Sequence, residues 1–356
     1  MIDLGLTPDQ EAHAKALHDA LIVIDMLTES SFPDNLFEDM AAGGLTCGSF
    51  TIGASGLKHM VNDTLPNHDE WWSKSATVED IAIWHGIWED SGNNVVPIRS
   101  AADIQSAKAN GKVGIMLNVQ NSICVGTDVD NVDFFHNLGL RVIQLTYNLQ
   151  NFMGSGCLED PKKNLSNFGI QAIERMNEIG MVVDTGHTGD GSIKHAAEVS
   201  SKPISCSHAG LAALSKAENP RVVSDSALKC IADGGGVFGL SAIPGMLTGD
   251  IRCTINDYID HMEHAINVMG IDGVGIGTDA VSGVTLELIA TAPDWKGQQV
   301  PNSPEVWPVC TGHDGLEDHS GLPNVTRALV ARGYADDDIR KLMGGNWLRL
   351  LGDTIG

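Results

Sequence analysis

Eight short apolar runs recur along the chain with helix-like stretches between them, and this alternation is the feature that most limits the fold. In Phe168–Gly180 apolar residues recur at helical spacing and a glycine ends the run. Gly139, Gly180 and Gly273 each precede an apolar run, where we expect a helix to end in a left-handed residue. Strand and helix repeated eight times predict an α/β fold, the TIM (β/α)8 barrel. The predicted strands are Leu21–Leu27, Leu45–Ile52, Val113–Val119, Leu140–Thr146, Met181–Asp184, Ile204–Ser207, Gly236–Ala242 and Val274–Thr278.

The chain length is compatible with one barrel. Barrels with insertions reach 356 residues, so we expect a single domain over residues 1–356. A Rossmann-type sheet is the alternative, but no GxGxxG motif follows a strand. Two segments, near 61–75 and 289–315, fit neither strand nor helix, and we predict lid-like loops inserted over the C-terminal face of the barrel.

The charge of the chain excludes several partners. Acidic residues outnumber basic ones 46 to 22, for a net charge of −24, so nucleic acid and anionic membrane surfaces are not expected to bind. No apolar run is long enough to span a bilayer and the first residues do not resemble a signal peptide, which predicts a cytoplasmic protein. The seven cysteines are widely spaced without a CxxC pair, so a disulfide framework is not expected.

Three polar residues follow predicted strands closely. His187 and His208 end the fifth and sixth strands, and Asp279 ends the eighth. Strand ends of a barrel meet at its active-site face, and neutral imidazoles are natural zinc ligands. One such histidine alone would more often bond to a loop backbone. Two at consecutive strand ends, with an aspartate at a third, favour a metal centre in which Asp279 acts as a base.

Other candidates have simpler explanations. His261 and His264 lie on a predicted helix, where a solvated or partly buried face is the favoured interpretation over a metal site. His313 and His319 lie in the late loop, where contact with a lid is conceivable. Cys157 follows a glycine-rich stretch, and a small packed residue is favoured over a nucleophile because no partner histidine is signalled nearby.

Several linked motifs occur in a fixed order from about Leu21 to the end of the chain. They are Leu145–Asn148, Leu165–Gly169, Asp184–His187, Ser207–His208, Asn219–Arg221, Gly270–Asp279 and Gly344–Arg349. Together they resemble the membrane (renal-type) dipeptidase family, peptidase family M19, of the amidohydrolase superfamily. This resemblance implies a TIM-barrel peptidase that binds two zinc ions, cleaves dipeptides, bridges its metals with a glutamate and forms a homodimer.

The chain departs from that family at one of its two metal positions. Leu27 and Glu29 stand where the family has the histidine and aspartate of a His-x-Asp motif, and Gln120 stands at the bridging glutamate. Leucine cannot bind a metal, and an amide oxygen bridges two cations poorly. His187 and His208 belong to the other position. We therefore expect at most one divalent metal, with zinc as the expected ion, held by these histidines, with Glu29, Asp279 or water completing its coordination.

The resemblance also implies substrate contacts. Arg221 matches the arginine that binds the substrate carboxylate, although a surface arginine after a proline turn is the simpler alternative. Tyr147 replaces a substrate-contacting histidine, Gln120 is expected to donate a hydrogen bond, and Asp279 matches the catalytic aspartate. These assignments predict a metal-dependent hydrolase of a C–N bond in a small dipeptide-like or amide substrate that bears a carboxylate. The alternatives are a metal-free binding protein for a small acid, a non-hydrolytic acid–base enzyme using Asp279 and Glu29, or an inactive paralogue in a complex.

Overall fold

Eight parallel strands close into a barrel surrounded by helices. The computed structural model describes residues 2–28, 35–53, 72–90, 94–215, 221–249, 252–280 and 313–356. The predicted TIM barrel is confirmed. Its strands are β1 (Ile24–Asp25), β2 (Cys47–Thr51), β4 (Val113–Val119), β5 (Leu140–Gln144), β6 (Val182–Asp184), β7 (Ser205–Leu211), β9 (Val237–Leu240) and β11 (Val274–Ile276).

The strands follow one another around the ring in chain order. Strand β2 pairs with both β1 and β4, and the ring closes where β1 meets β11. That closure rests on a single described register pair, Asp25 with Ile276. The Asp25 carboxylate adds bonds across the same seam, because it accepts from the backbone and the hydroxyl of Thr278. A side chain therefore supports the joint between the first and last strands.

Four short strands lie outside the ring, and sequence periodicity missed them because two or three residues show no alternation. Most barrel strands are also shorter than predicted. The additional strands are β3 (Val95–Pro97), β8 (Val222–Val223), β10 (Cys253–Thr254) and β12 (His313–Asp314).

The described helices cover the outside of the barrel. They are α1 (Pro8–Ala20), α2 (Leu36–Ala42), α3 (Lys74–Glu89), α4 (Ala101–Ala109), α5 (Asp130–Leu138), α6 (Asn167–Ile179), α7 (Asp190–Val199), α8 (Asp225–Asp233), α9 (Pro244–Leu247), α10 (Ile255–Met269), α11 (Leu322–Ala331), α12 (Asp336–Arg340) and α13 (Asn346–Thr354). Among them, none combines the length and apolar character needed to cross a membrane.

Two of the three predicted glycine caps are confirmed. Gly139 and Gly180 end helices α5 and α6 with φ of 107° and 79°. The prediction for Gly273 is wrong, because α10 ends at Gly270 with φ of 80° and Gly273 lies in the 3-10 turn that follows. This turn lies between the end of α10 and strand β11, so Gly273, directly before the strand, is not the helix cap.

The C-terminal helix packs against the barrel strands. The indole nitrogen of Trp347 donates to the Ile276 carbonyl at 2.9 Å, and a Cβ atom on Gly275 would lie 2.4 Å from that nitrogen. Only glycine at this point of β11 lets the tryptophan approach the sheet. The predicted lid segments near 61–75 and 289–315 lie outside the described residues except for 72–75 and 313–315.

Candidate active site

The structure brings six of the seven predicted site residues to the carboxyl-terminal side of the barrel. Glu29, the seventh, lies outside the described residues. His208 lies within β7 rather than at its end, because that strand continues past a register shift to Leu211. The positions are Gln120 after β4, Tyr147 after β5, His187 after β6, His208 in β7, Arg221 directly before β8, and Asp279 after β11.

Backbone conformation marks the same region. Of the five described non-glycine residues with positive φ, four lie here: Trp72 (59°), Asn148 (59°), His187 (55°) and Asp279 (55°). A left-handed conformation costs a residue with a side chain about 1–2 kcal/mol, and such strain concentrates at functional sites. Three of these four residues are of the types most often found with positive φ, asparagine, histidine and aspartate, whereas the bulky Trp72 is an outlier.

The His187 ring is oriented by Asn148. Its Nδ1 atom lies 2.7 Å from the Oδ1 atom of the Asn148 amide. An amide oxygen only accepts, so Nδ1 carries the hydrogen and Nε2 presents a lone pair. Burial, with Arg221 contributing, lowers the pKa of His187 well below its ordinary value, so the ring is neutral at pH 7.

The His208 ring is oriented by a different pair. Its Nδ1 atom lies 2.8 Å from the Ser207 hydroxyl, which itself donates to Oδ2 of Asp184 at 2.8 Å. The serine oxygen therefore accepts from Nδ1, and the lone pair of His208 is on Nε2. That buried Nε2 atom has no hydrogen-bond partner in the described part of the chain. Burial and then Arg221 lower the pKa of His208 well below its ordinary value.

The Asp-Thr-Gly-His sequence fits this arrangement. The Asp184 carboxylate accepts from the backbone and hydroxyl of Ser207, which fixes the strand that carries His208. A Cβ atom on Gly186 would lie 2.5 Å from Oε1 of Gln144 and 3.0 Å from Cε1 of His208. Glycine is thus required for the two imidazoles to approach, and their ring centroids are 4.9 Å apart.

Asp279 is poised to exchange a proton near neutral pH. Burial raises the pKa of Asp279 to about 6, while the Arg221 charge opposes that rise and the Asp25 charge adds to it. A Cβ atom on Gly277 would lie 1.7 Å from the carbonyl oxygen of Ser207, so glycine there lets the backbone before Asp279 pass against β7. The carboxyl group therefore shares the barrel mouth with the histidines.

Three further side chains line the mouth. Tyr147 stacks on His187 with ring centroids 4.0 Å apart, and burial, with Asp279 adding to it, raises the pKa of Tyr147 to about 12. The phenol therefore remains a neutral donor. Gln120 donates from Nε2 to Oγ1 of Thr51 at 2.9 Å. Arg221 is 2% exposed and acts electrostatically on Tyr147 and on both histidines.

Four further side chains near the site were not assigned to it by the sequence analysis, which interpreted Cys157 as a packed residue and His319 as a loop residue. Asn148 orients a histidine, and Trp72 stacks on Tyr147 with ring centroids 5.2 Å apart. Cys157, half-buried, donates to the same Asn148 oxygen at 3.4 Å. His319 is fully buried, with Nε2 3.5 Å from the Asp25 carboxylate. Asn148 and Cys157 lie close to Tyr147 in the sequence, which was the one available signal, whereas Trp72 and His319 are brought in from distant segments.

Two imidazoles are the described candidates for holding a divalent cation. In each of His187 and His208, Nδ1 is hydrogen-bonded and the lone pair is on Nε2. A hydrogen bond to one ring nitrogen is the arrangement that orients metal-binding imidazoles in proteins. Leu27, 1% exposed at the end of β1, offers no donor for a second cation. In the residues that the structure describes, no three His, Cys, Asp or Glu side chains are grouped as a metal site.

Comparisons with known proteins agree with this geometry. The sequence model of the family "Membrane dipeptidase (Peptidase family M19)" matches residues 56–290 and 309–355. A dipeptidase of Claviceps purpurea is 25% identical across 98% of this chain and 77% of its own length.

Two solved structures are similar throughout. An amidohydrolase from Pseudomonas aeruginosa is 33% identical, with a TM-score of 0.83 over 96% of this chain and 98% of that one. A metallopeptidase from Rhodobacter sphaeroides, bound to a phosphinate mimic of the dipeptide L-Ala-D-Ala, is 21% identical, with a TM-score of 0.74 over 94% of this chain and 99% of that one. At this lower identity the second likeness shows the fold alone.

Proposed function

The chain belongs to the membrane dipeptidase family, peptidase family M19, and on that basis we propose that it is a metal-dependent hydrolase of a small dipeptide-like or amide substrate that bears a carboxylate. Its named relatives are dipeptidases and metallopeptidases, which supports cleavage of a C–N bond. The observation that carries the proposal is the pair of buried, neutral imidazoles whose Nδ1 hydrogen bonds place the lone pair on Nε2, at the barrel mouth that also holds Asp279, a carboxyl group of pKa about 6.

The metal centre is mononuclear in this proposal. His187 and His208 would hold the ion, zinc being the expected one, and Glu29 is the predicted additional ligand. A bound divalent cation polarises a carbonyl and lowers the pKa of water. Leu27 has no donor atom where the family resemblance implies a histidine, and Gln120 has no negative charge where it implies a bridging glutamate. Both positions would serve a second ion in that family.

The protein side chains divide the remaining work. Arg221 binds the substrate carboxylate through its planar guanidinium. Asp279 accepts a proton from the attacking water and returns one to the leaving nitrogen as the C–N bond breaks. The Tyr147 hydroxyl and the Gln120 amide donate to the substrate oxygen as it gains negative charge. The products are a carboxylic acid and an amine, with one water consumed.

Elemental analysis tests the proposal directly. Protein purified without added metal and then dialysed against zinc is expected to hold close to one equivalent per chain. His187→Ala should remove both the metal and hydrolysis of a dipeptide and N-acyl amino acid panel. His264→Ala, which alters a half-buried histidine paired with Asp225 on the outer helices, is the matched control and should keep both.

Two outcomes would contradict this assignment. Hydrolysis that survives His187→Ala would exclude the role given to the metal site. A wild-type protein without bound zinc and without hydrolysis would instead support the alternative of a small-acid binding protein on the same barrel.

A further inference from the structure

Strand β8, which directly follows Arg221, is only two residues long. It pairs with β7 just beyond His208, where the Gly210 nitrogen donates to the Arg221 carbonyl at 3.2 Å. A Cβ atom on Gly210 would lie 3.1 Å from Cγ1 of Val222, so glycine allows this close approach of the two strands. A strand this short forms few backbone hydrogen bonds, and we expect side-chain contacts to help fix the backbone that carries Arg221.

The Asp190 carboxylate supplies such a contact. Ser224 follows β8 directly, and its hydroxyl donates to Oδ2 of Asp190 while its backbone nitrogen lies 3.4 Å from Oδ1. The Ser224 oxygen also accepts from the Ala227 nitrogen at 3.2 Å, which caps helix α8. Hydrogen bonds to a charged group are stronger than those between neutral groups. One carboxylate therefore ties the end of β8 and the start of α8 to helix α7.

Asp190 is itself held in place. It is the first residue of α7 and lies three residues after His187. On either side of it, the nitrogens of Gly189 and Gly191 donate to carbonyl groups in the loop after β5, at 2.9 and 2.8 Å. Its side chain is 22% exposed and lies 3.7 Å from Lys194 in the same helix, and an ion pair of this kind contributes little. Among the described contacts of this carboxylate, the bonds at the end of β8 are the ones that reach another element.

These bonds connect two parts of the candidate site. His187 and Asp190 lie on one segment of the chain. Arg221 and Ser224 lie on another. The contact between Asp190 and Ser224 therefore limits how far the Arg221 backbone can move relative to the proposed metal ligand. Because a misplacement of about 1 Å can cost an enzyme much of its rate, the position of a substrate-binding group matters as well as its charge.

We propose that Asp190 is a positioning residue for Arg221. By holding Ser224, its carboxylate sets the place of the guanidinium that binds the substrate carboxylate, relative to the metal centre at His187 and His208. The inference rests on the proposed function. Loss of the contact should weaken binding of the substrate carboxylate, whereas the metal and the group that transfers the proton stay in place.

Asp190→Ala removes the contact. With the best substrate of the dipeptide and N-acyl amino acid panel, we expect KM to rise about tenfold while kcat and zinc content stay within about twofold of the wild type. Asp190→Asn keeps an oxygen that accepts from Ser224 and should hold KM within about threefold of the wild type. Asp225→Ala is the matched control and should leave KM unchanged, because it removes the carboxylate at the first residue of α8, which pairs with His264 at 2.9 Å.

A double-mutant cycle shows whether Asp190 acts through Arg221. Residues that act through a shared partner give non-additive effects, whereas independent residues give additive ones. In the Arg221→Ala background, Asp190→Ala should lower kcat/KM by less than about twofold, compared with about tenfold in the wild-type background. A carboxylate that only stabilised the fold would keep its full effect in both. Substrate concentrations far below KM allow kcat/KM to be measured on weakly active variants.

The outcomes separate this inference from the hydrolase assignment. An unchanged KM in Asp190→Ala, or a tenfold loss that persists without Arg221, would overturn the inference and leave the assignment intact. If Asp190→Ala does not fold, Ser224→Ala removes the hydroxyl donor, leaves the carboxylate in place and should give the same rise in KM. Failure of the wild-type enzyme on the whole panel would overturn the proposed function, and this inference with it.

Discussion

The Oδ1 atom of Asn148 lies 2.7 Å from Nδ1 of His187, and this contact decides which nitrogen of the imidazole is free. Asn148 also adopts a left-handed backbone with φ of 59°, a conformation that asparagine tolerates better than most residues. The asparagine thus satisfies a backbone requirement and orients a proposed ligand at once. Its removal should affect metal binding more than folding.

Asn148→Gly should weaken zinc binding by about 10–100-fold, the usual effect of losing the partner that orients a metal-binding histidine. Glycine accepts the positive φ without strain, so the backbone is kept while the amide is lost. Competition with a zinc chelator measures the affinity, and thermal unfolding of the metal-free protein monitors the fold.

Asn148→Asp is the companion variant, because it keeps an acceptor at the same atom and is expected to bind zinc at least as well as the wild type. Cys157→Ala removes the other donor to the Asn148 oxygen, and zinc affinity should change less than about threefold. Wild-type affinity in Asn148→Gly would show that the ring does not depend on this bond.

The activity should rise with pH through the titration of Asp279. A base must be ionised to accept a proton, and burial raises the pKa of this carboxyl group to about 6. We therefore expect kcat/KM to increase between about pH 5 and pH 7 and to level off above, as measured on the best amide of the panel. Asp279→Asn should lower the plateau by about 100-fold or more.

Arg221→Met tests whether the rise of kcat/KM with pH reports the titration of Asp279. The Arg221 charge lowers the pKa of Asp279, so its removal should move the ascending limb to higher pH in addition to raising KM. A limb that stays in place, or moves to lower pH, would assign the titration to another group.

The Asp279 carboxyl group should also lower the free energy of unfolding at neutral pH. Its pKa in the folded protein, about 6, lies above the unfolded value, so stability is lost as pH rises from about 4 to 6. Asp279→Asn removes the cost of keeping a half-buried charge and should stabilise the metal-free protein by about 1–2 kcal/mol at pH 7.5.

Urea unfolding at two pH values measures this difference. At pH 4 the wild-type carboxyl is already protonated, and the variant should gain little. An equal gain at both pH values would indicate a packing effect instead of a charge.

Gln120→Glu should not create a dinuclear centre. The substitution supplies the negative charge of the bridging residue that the family resemblance implies, but Leu27 remains a buried side chain without a donor atom. After dialysis against zinc, elemental analysis is expected to give about one equivalent per chain. Combining Gln120→Glu with Leu27→His should raise the zinc content. Two equivalents in the single variant would show that the missing histidine is dispensable.

The sequence predicted the barrel because its strands lie in buried, mainly apolar runs, such as Val113–Val119, which are typical of a parallel sheet covered on both faces. It also predicted positions at strand ends for His187 and Asp279, which follow β6 and β11, and for His208, which lies within β7; their roles stay predictions. Their tautomers could not be predicted, because those depend on hydrogen bonds made in three dimensions.

Long-range partners were also beyond prediction. Trp72 reaches the site from a segment that shows no periodicity, and its role depends on a backbone conformation that no residue pattern signals. His319, interpreted as a loop residue, is buried against Asp25 nearly three hundred residues away in the chain. Contacts of this kind follow from the closed topology and leave no local trace in the sequence.

The seam between the first and last strands bears on the proposed metal centre. Asp25 supports this seam by accepting hydrogen bonds from Thr278. It lies two residues before Leu27, which stands where the family resemblance implies a metal-binding histidine. Closure of the cylinder is thus supported by a carboxylate that accepts hydrogen bonds from the protein itself. With the single metal ion of the proposed function, the joint between the first and last strands is therefore held by protein hydrogen bonds alone and needs no second cation.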